Sequence, residues 1–255
     1  MQRYFIQLAY DGTNYHGWQI QPGSVSVQEV LEQSISTISR ETISVTGAGR
    51  TDTGVHASFF VAHFDAESET LDDPHFTFRL NRFLPPDITV QSVYKVHEKA
   101  HARFDATYRT YKYFITKQKD PFSRVFAYHH YRLLDIERMN EAAKLLFNYS
   151  DFTSFSRTGT DAKTGICQIM EAYWTEEPDR YVFTIKADRF LRNMVRAVVG
   201  TMLDIGMGKM EPEGIARIIE AQDRREAGSS AAARGLFLVD IGYPEEISRR
   251  LIRNF

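Results

Sequence analysis

Segments with the two-residue alternation of a strand and segments with a helical apolar stripe take turns along this chain, and the series runs through twice. YFIQLAY (4–10) alternates and is rich in aromatic and apolar residues, which predicts a strand. Ser26 followed by Glu29 makes a capping box for a helix over Val27 to Ser39, with Val27, Val30, Leu31, Ile35 and Ile38 on one face. TISVTGAGR, HASFFVAHF and ITVQSVYKV (88–96) read as strands, and Phe76 to Phe83 as a short helix stopped by Pro85 and Pro86. The second half repeats the order of elements without repeating residues. TYRTYKYFITK (107–117) predicts a strand, and Asp135 caps a helix over Ile136 to Phe147. A strand pair joined by Pro178-Asp179, a helix over Phe190 to Ile205, a shorter helix over Pro212 to Glu220 and a closing strand, GLFLVDIGY, follow. The result is two α/β halves, 1–102 and 103–255, and at about 150 residues per domain a chain of 255 residues has room for one to two domains. No low-complexity linker separates the halves, so they are expected to share an interface, and clefts between domains favour ligands.

The net charge of −2 hides an asymmetry. Residues 1–100 hold 7 Lys and Arg against 12 Asp and Glu, whereas 101–255 hold 24 against 21. Within 101–132, Arg103, Arg109, Lys112, Lys117, Lys119, Arg124 and Arg132 are interleaved with Tyr108, Tyr111, Tyr113, Phe114, Phe122, Phe126, Tyr128 and Tyr131. Cations meet phosphates and rings stack on bases, so this composition suits a nucleic-acid surface; a strand pair with a solvated basic face has it too. One cysteine, Cys167, excludes an internal disulfide framework and a cysteine-based zinc site, and fits a reducing cytoplasm. The opening MQRYFIQLAYDG lacks the apolar core and cleavage site of a signal peptide. No apolar run approaches the roughly 18 residues of a membrane helix. The longest, Met194 to Ile205, is interrupted by Arg196, Gly200 and Asp204. A cytoplasmic protein with no membrane partner is expected.

The densest chemical signal is GAGRTDTGVHA (47–57). Gly47, Gly49 and Gly54 let a backbone turn sharply and approach a ligand. Arg50 and Asp52 stand between them, at the end of a predicted strand. The Lys-Ser/Thr ending of a phosphate loop is missing. From this pattern Asp52 is open to four roles: nucleophile, general base, metal ligand or turn cap.

The loop resembles the catalytic loop of the tRNA pseudouridine synthase A family, and other motifs accompany it in order. YDGTNYHGWQIQP (10–22), SVQE (26–29), NRFLPPDI (81–88), HARFDATYRTYKYFI (101–115), DFTSF (151–155), FLRNMVRAVVGTMLDIG (190–206) and GLFLVDIGY (235–243) resemble its successive conserved stretches. The resemblance implies an α+β fold of two similar domains, mainly antiparallel sheets flanked by helices, with the active-site cleft between them. It implies isomerisation of uridine to pseudouridine at positions 38, 39 and 40 of the tRNA anticodon arm, by a homodimer in which one tRNA contacts both subunits. The reaction breaks N1–C1′, rotates the base and rejoins it through C5, with no redox change and no external group, so neither cofactor nor metal is expected.

By the same resemblance Asp52 matches the family's invariant carboxylate, a nucleophile adding to the base or attacking C1′, or the promoter of a glycal route. A carboxylate does this only when ionised, a state that a nearby cation favours. Arg196 matches the arginine that pairs with it, and lies inside an apolar run where a buried charge demands a partner. Tyr111 matches the tyrosine that stacks on the target base and helps remove the C5 proton; as a strand tyrosine it is otherwise a core residue, and its spacing from Tyr113 puts both on one face. Arg50 matches the arginine that fills the space left by the flipped nucleotide, flipping being needed because C1′ and C5 are unreachable in a stack. His56 and Asp11 are expected to be structural, His56 as a hydrogen bonder and Asp11 in a turn. Two runs depart from the family pattern: 156–168, with Lys163 but no arginine after Thr164, and GSSAAARG (228–235), where prolines are usual. Both bear on substrate choice. A catalytically silent RNA-binding relative is the alternative, opposed by the joint presence of Asp52, Tyr111 and Arg196. A glycosidase needs two paired carboxylates and a two-metal nuclease a cluster of acids, and the loop offers one Asp.

Overall fold

The computed structural model describes residues 1–157 and 164–252. The chain divides into two compact units, Met1–Thr107 with Leu238–Phe255, and Tyr108–Phe237. The two halves expected from the sequence, 1–102 and 103–255, were continuous; here the residues from Leu238 onward go with the first unit. The reason is packing between segments far apart in the sequence. Tyr243 meets Phe5 edge-on, with ring centroids 5.7 Å apart. Its hydroxyl donates to the Ala102 carbonyl at 2.6 Å, and Thr107 N–H donates to the Gly242 carbonyl at 2.8 Å.

The first unit follows the predicted order: β1 (Gln2–Tyr10), α1 (Val27–Ser39), β2 (Val45–Gly47), β3 (His56–Ala66), α2 (Pro74–Phe83) and β4 (Ile88–Lys95). Strand β1 pairs antiparallel with β3 on one side and β4 on the other, and β2 adds to β3. Tyr4, Phe5, Ile6 and Leu8 are fully buried, so both faces of β1 are covered. Helix α1 starts as expected, the Ser26 hydroxyl accepting Glu29 N–H at 3.2 Å. Helix α2 starts two residues earlier than its apolar pattern, because the Asp73 carboxylate accepts His75 N–H at 2.8 Å and Pro74 suits a first helical turn. The Asn81 amide donates to Val90 O and accepts from Val90 N–H, both at 2.8 Å, tying α2 to β4 as a neighbouring strand would.

In the second unit run β5 (Tyr108–Thr116), β6 (Tyr128–His129), α3 (Ile136–Leu145), β7 (Ile169–Glu176), β8 (Arg180–Ala187), α4 (Met194–Gly206) and α5 (Gly214–Ala221). Strand β8 is antiparallel to both β5 and β7, and two-residue β6 is parallel to β5. Strand β9 (Leu236–Gly242) leads back into the first unit, where α6 (Glu245–Ser248) follows. Each unit is thus mainly antiparallel sheet with helices beside it, the α+β class. Helix α3 ends at Leu145 and tightens into one 3-10 turn, Leu146–Asn148. Helix α4 begins at Met194, not Phe190. Asn193 is left-handed, φ 66°, so the chain turns there. A Cβ on Gly200 of α4 would sit 1.8 Å from the Ser229 carbonyl oxygen, and glycine is what lets that strand of chain lie on the helix. Residues 158–163, including Lys163, lie outside the described residues. Among those described, no helix is long and apolar enough to cross a membrane.

Two titratable groups are sunk in these cores. Cys167 is buried beside Met194, Sγ to Sδ 3.8 Å, and burial pushes its thiol up to about 12. Native protein at pH 8 should therefore resist a thiol reagent that reacts promptly after unfolding in denaturant; rapid labelling of the folded chain would contradict the packing. His63 in β3 accepts Ala102 N–H at 3.1 Å through Nδ1. Burial, then the neighbouring His101, lowers it from 6.5 to about 4. The folded chain thus holds the neutral ring while the unfolded chain binds a proton. Stability is complete above pH 6.5 and falls towards pH 4, by on the order of 2 kcal/mol. Melting temperatures from pH 7 to 4.5 should show the fall, and His63→Gln, which keeps an acceptor without titrating, should flatten it.

Candidate active site

The loop after β2 is shaped by contacts on both flanks of Asp52. Ala48 N–H donates to the Val61 carbonyl at 2.8 Å and starts the loop on the sheet. Thr51 is then held three ways. Its carbonyl accepts Trp18 N–H at 3.3 Å. Its hydroxyl lies 2.9 Å from the Tyr10 hydroxyl in a buried contact. Its carbonyl oxygen also passes 2.3 Å from where a Cβ on Gly17 would be, and Gly17 itself has φ +85°. After Asp52, Val55 N–H returns to the Asp52 carbonyl at 3.1 Å, and Gly54 N–H donates to the Tyr15 carbonyl at 3.3 Å. Of the three loop glycines only Gly54 is left-handed, φ 75°. Gly47 serves by lacking a side chain, since a Cβ would meet the Trp18 ring at 2.4 Å. The Asp52 side chain is half-buried on this frame and Arg50 is exposed.

The frame has its own support. Trp18 stacks on Phe60 of β3, centroids 4.1 Å apart, with Tyr10 beside both rings. The Tyr15 hydroxyl donates to the Asp87 carboxylate at 2.6 Å. His56 is buried, its Nδ1 3.1 Å from Gly12 N–H and 3.0 Å from the Asp11 carboxylate. Asp11 also accepts Thr13 N–H at 2.9 Å. His56 is thus a hydrogen bonder and Asp11 a turn residue, as their contexts suggested. Tyr10, Trp18 and Gly17 were quoted in the 10–22 motif, but their part in holding Thr51 was not legible. The available signal was a glycine directly before a tryptophan, which marks a close approach without saying to what.

In the second unit Tyr111 lies on β5 opposite Ile185 of β8. Its ring is half-buried and meets Phe190 edge-to-face, centroids 5.2 Å apart at 88°. Tyr113 is fully buried, its hydroxyl donating to the Ala232 carbonyl at 2.8 Å, and burial raises it above the usual tyrosine range. The two tyrosines share a face, but only Tyr113 is wholly core. Arg196 stands in the first turn of α4, where its Nε donates to the Ala231 carbonyl at 2.7 Å and its own carbonyl accepts Ala231 N–H at 2.9 Å. The 224–232 segment is stitched down further. Asn193 donates to the Ser230 hydroxyl at 2.7 Å, and Arg224 bonds both Ser230 and the Gly228 carbonyl. One of the two runs that depart from the family pattern, 228–235, is therefore the run that holds Arg196. Arg50 and Asp52 come together in one loop of the first unit, and Tyr111 and Arg196 are both carried by the second. Among the described residues, no group of His, Cys, Asp and Glu is arranged to hold a metal.

The family model described as tRNA pseudouridine synthase matches residues 7–105 and 142–244. A tRNA pseudouridine synthase A of Bacteroides thetaiotaomicron is 60% identical over 250 residues, covering 97% of this chain and 93% of that protein. One from Bacteroides fragilis is 58% identical, covering 97% and 98%. One from Bacillus subtilis is 39% identical, covering 92% and 97%. The fold and the loop belong to an RNA-modifying isomerase, and the chain is a member of the tRNA pseudouridine synthase family, which isomerises uridine to pseudouridine in tRNA.

The frame around Thr51 makes Gly17→Ala the sharpest structural test. The substitution adds an atom against a carbonyl at a left-handed position and should cost about 1–3 kcal/mol. It should also reduce activity more than the melting temperature alone explains, read by turnover well below the melting point. Wild-type turnover in a destabilised variant would detach the loop from its frame.

Proposed function

We propose that this chain makes pseudouridine at uridines 38, 39 and 40 of the anticodon arm, with Asp52 as nucleophile. The observation that carries this reading is the peptide of Asp52, fixed on both sides within a motif that the family model covers. A nucleophile gains from such fixing because the reacting atoms must be held in a near-attack geometry. In the step itself the Asp52 carboxylate attacks the uridine, the N1–C1′ bond breaks, and the base turns. C5 then bonds to C1′, the bond to Asp52 breaks and frees the carboxylate, the proton leaves C5, and N1 ends protonated. The atoms of the base and ribose balance without any outside donor or acceptor of electrons. Tyr111, half-buried with its ring braced by Phe190, is assigned to stack on the turned base and help take the C5 proton. Arg50, exposed beside Asp52, fills the gap the flipped nucleotide leaves. Arg196, whose Nε donates to the Ala231 carbonyl, is assigned the family arginine's part in the site.

Several neighbouring targets on one arm suit a protein that grips backbone shape rather than base sequence. The protein is further proposed to act in the cytoplasm as a homodimer, one tRNA touching both subunits. Light scattering on a sizing column checks the dimer: a single monomer mass at working concentration would refute it.

The test of the chemistry is tritium release from tRNA labelled at uridine C5. Wild-type protein should release tritium, because C5 loses its hydrogen only when the base is rejoined through that carbon, and Asp52→Ala should release none above background. Tyr111→Phe should keep tRNA binding within about threefold and lose turnover, since the ring remains and the hydroxyl goes. No release by wild type on tRNA unmodified in the anticodon arm would leave the catalytically silent RNA-binding relative as the better reading.

A further inference from the structure

The first unit carries a concave surface that no part of the 47–57 loop or its frame lines. The C-terminal turn of α1 and the outer face of α2 border a cleft of about 420 Å³. Thr37 and Ile38 form one side, and Phe78, Arg79, Arg82 and Phe83 the other. Phe78 and Arg82 fall on the side of α2 opposite Phe76 and Leu80, which are buried, and Phe83 is the last residue of the helix. Phe78 is 64% exposed and Phe83 53%. Two phenylalanine rings left in water at one cleft mark a surface that something covers.

The charges around the cleft say what. No carboxylate lines it. Among the described residues no ion pair involves Arg79, Arg82 or Arg40, the residue that ends α1. Arg79 reaches the Ile38 carbonyl at 3.4 Å, a helix-end contact that leaves the rest of its guanidinium for another acceptor. These arginines sit in the half of the chain where acids outnumber bases, 12 to 7, so the basic cleft is not a by-product of overall charge. Flat rings beside unpaired guanidinium groups complement an anion that also has an aromatic face. That description fits a nucleotide, whose base stacks on a ring while its phosphate takes an arginine. A cleft of this size takes an unstacked base and its sugar, not a stem.

We propose that this cleft binds an unpaired nucleotide of the tRNA substrate outside the anticodon arm, with the base on Phe78 or Phe83 and the phosphate on Arg79 and Arg82. The proposal rests on tRNA being the substrate and adds a second point of contact to it. It makes the cleft a determinant of whole-tRNA recognition that leaves the chemical step untouched.

The test uses Phe78→Ala with Arg82→Ala, both exposed side chains, on full-length tRNA and on an isolated anticodon stem-loop. An unchanged melting temperature checks the fold. For full-length tRNA, KM should rise about tenfold with kcat unchanged, and the slope of binding against salt should fall by about 1. The stem-loop should show neither change. A wild-type KM for full-length tRNA overturns the proposal, and so does an equal loss on both substrates, which would put the contact inside the anticodon arm. A parent dimer that becomes a monomer in the variant would reassign the cleft to a subunit interface. Loss of the cleft effect while tritium release persists overturns the cleft alone; no release by wild type would remove the tRNA reading and the cleft's ligand with it.

Discussion

The carbonyl of Thr51 crosses the Gly17 backbone so closely that a side chain there has no room, and much of the candidate site hangs on that crossing. It brings together two stretches far apart in sequence, the 10–22 segment and the 47–57 loop. Once they touch, Trp18 N–H meets Thr51 O, Tyr10 meets the Thr51 hydroxyl, and Tyr15 O receives Gly54 N–H. Each hydrogen bond is modest, about 1 kcal/mol net. Together they leave the Asp52 peptide little freedom, with the stacked Trp18 and Phe60 beneath them. Placing a candidate nucleophile between two pinned neighbours has an energetic logic. Ordering the loop costs conformational entropy, and here that cost is met during folding rather than at each encounter with substrate.

The second unit solves a related problem by different means. Arg196 lies on a helix whose other residues are mostly apolar and buried. An arginine there needs acceptors, and the chain supplies one by laying residues 228–232 across the helix. Two small residues make the crossing possible: Gly200 clears the Ser229 carbonyl, and Gly228 lies against the Thr201 backbone. Glycine inside a helix costs about 1 kcal/mol relative to alanine. The crossing returns a backbone carbonyl to the Arg196 guanidinium at 2.7 Å. That gives the unusual GSSAAARG run a physical task. Small residues without prolines let it lie flat on α4 and bond through its backbone.

Much of the fold was legible because local signals agreed with long-range ones. Helix α1 had its cap, its stripe and its stop in the sequence, and its bounds, Val27–Ser39, match the expectation. Where the readings missed, the deciding interaction was non-local or too short to carry a pattern. Helix α4 begins late because Asn193 turns left-handed where it bonds Ser230, a residue 37 positions away. Strand β6 has two residues and no period to detect. The chain from Leu238 joins the first unit because of Tyr243, whose partners Phe5 and Ala102 lie far back in the sequence.

For the site, the resemblance carried by the ordered motifs singled out Arg50, Asp52, Tyr111 and Arg196 as candidates, because those motifs are written directly in the sequence. What surrounds them was not. Two tyrosines two residues apart look equivalent on a strand, yet Tyr113 is sealed in the core under a carbonyl while Tyr111 keeps an accessible ring against Phe190. His56 and Asp11 were expected to be structural, but the partners that hold them, Gly12 and Thr13 among them, came only from the fold. By itself the sequence determined which chemical groups were available and which helices and strands would carry them, since both follow from residue identity and local period. Only the tertiary structure decided which of those groups are spent on holding the chain and which remain available to a substrate, because a hydrogen bond is satisfied by distance in space and not by separation along the chain.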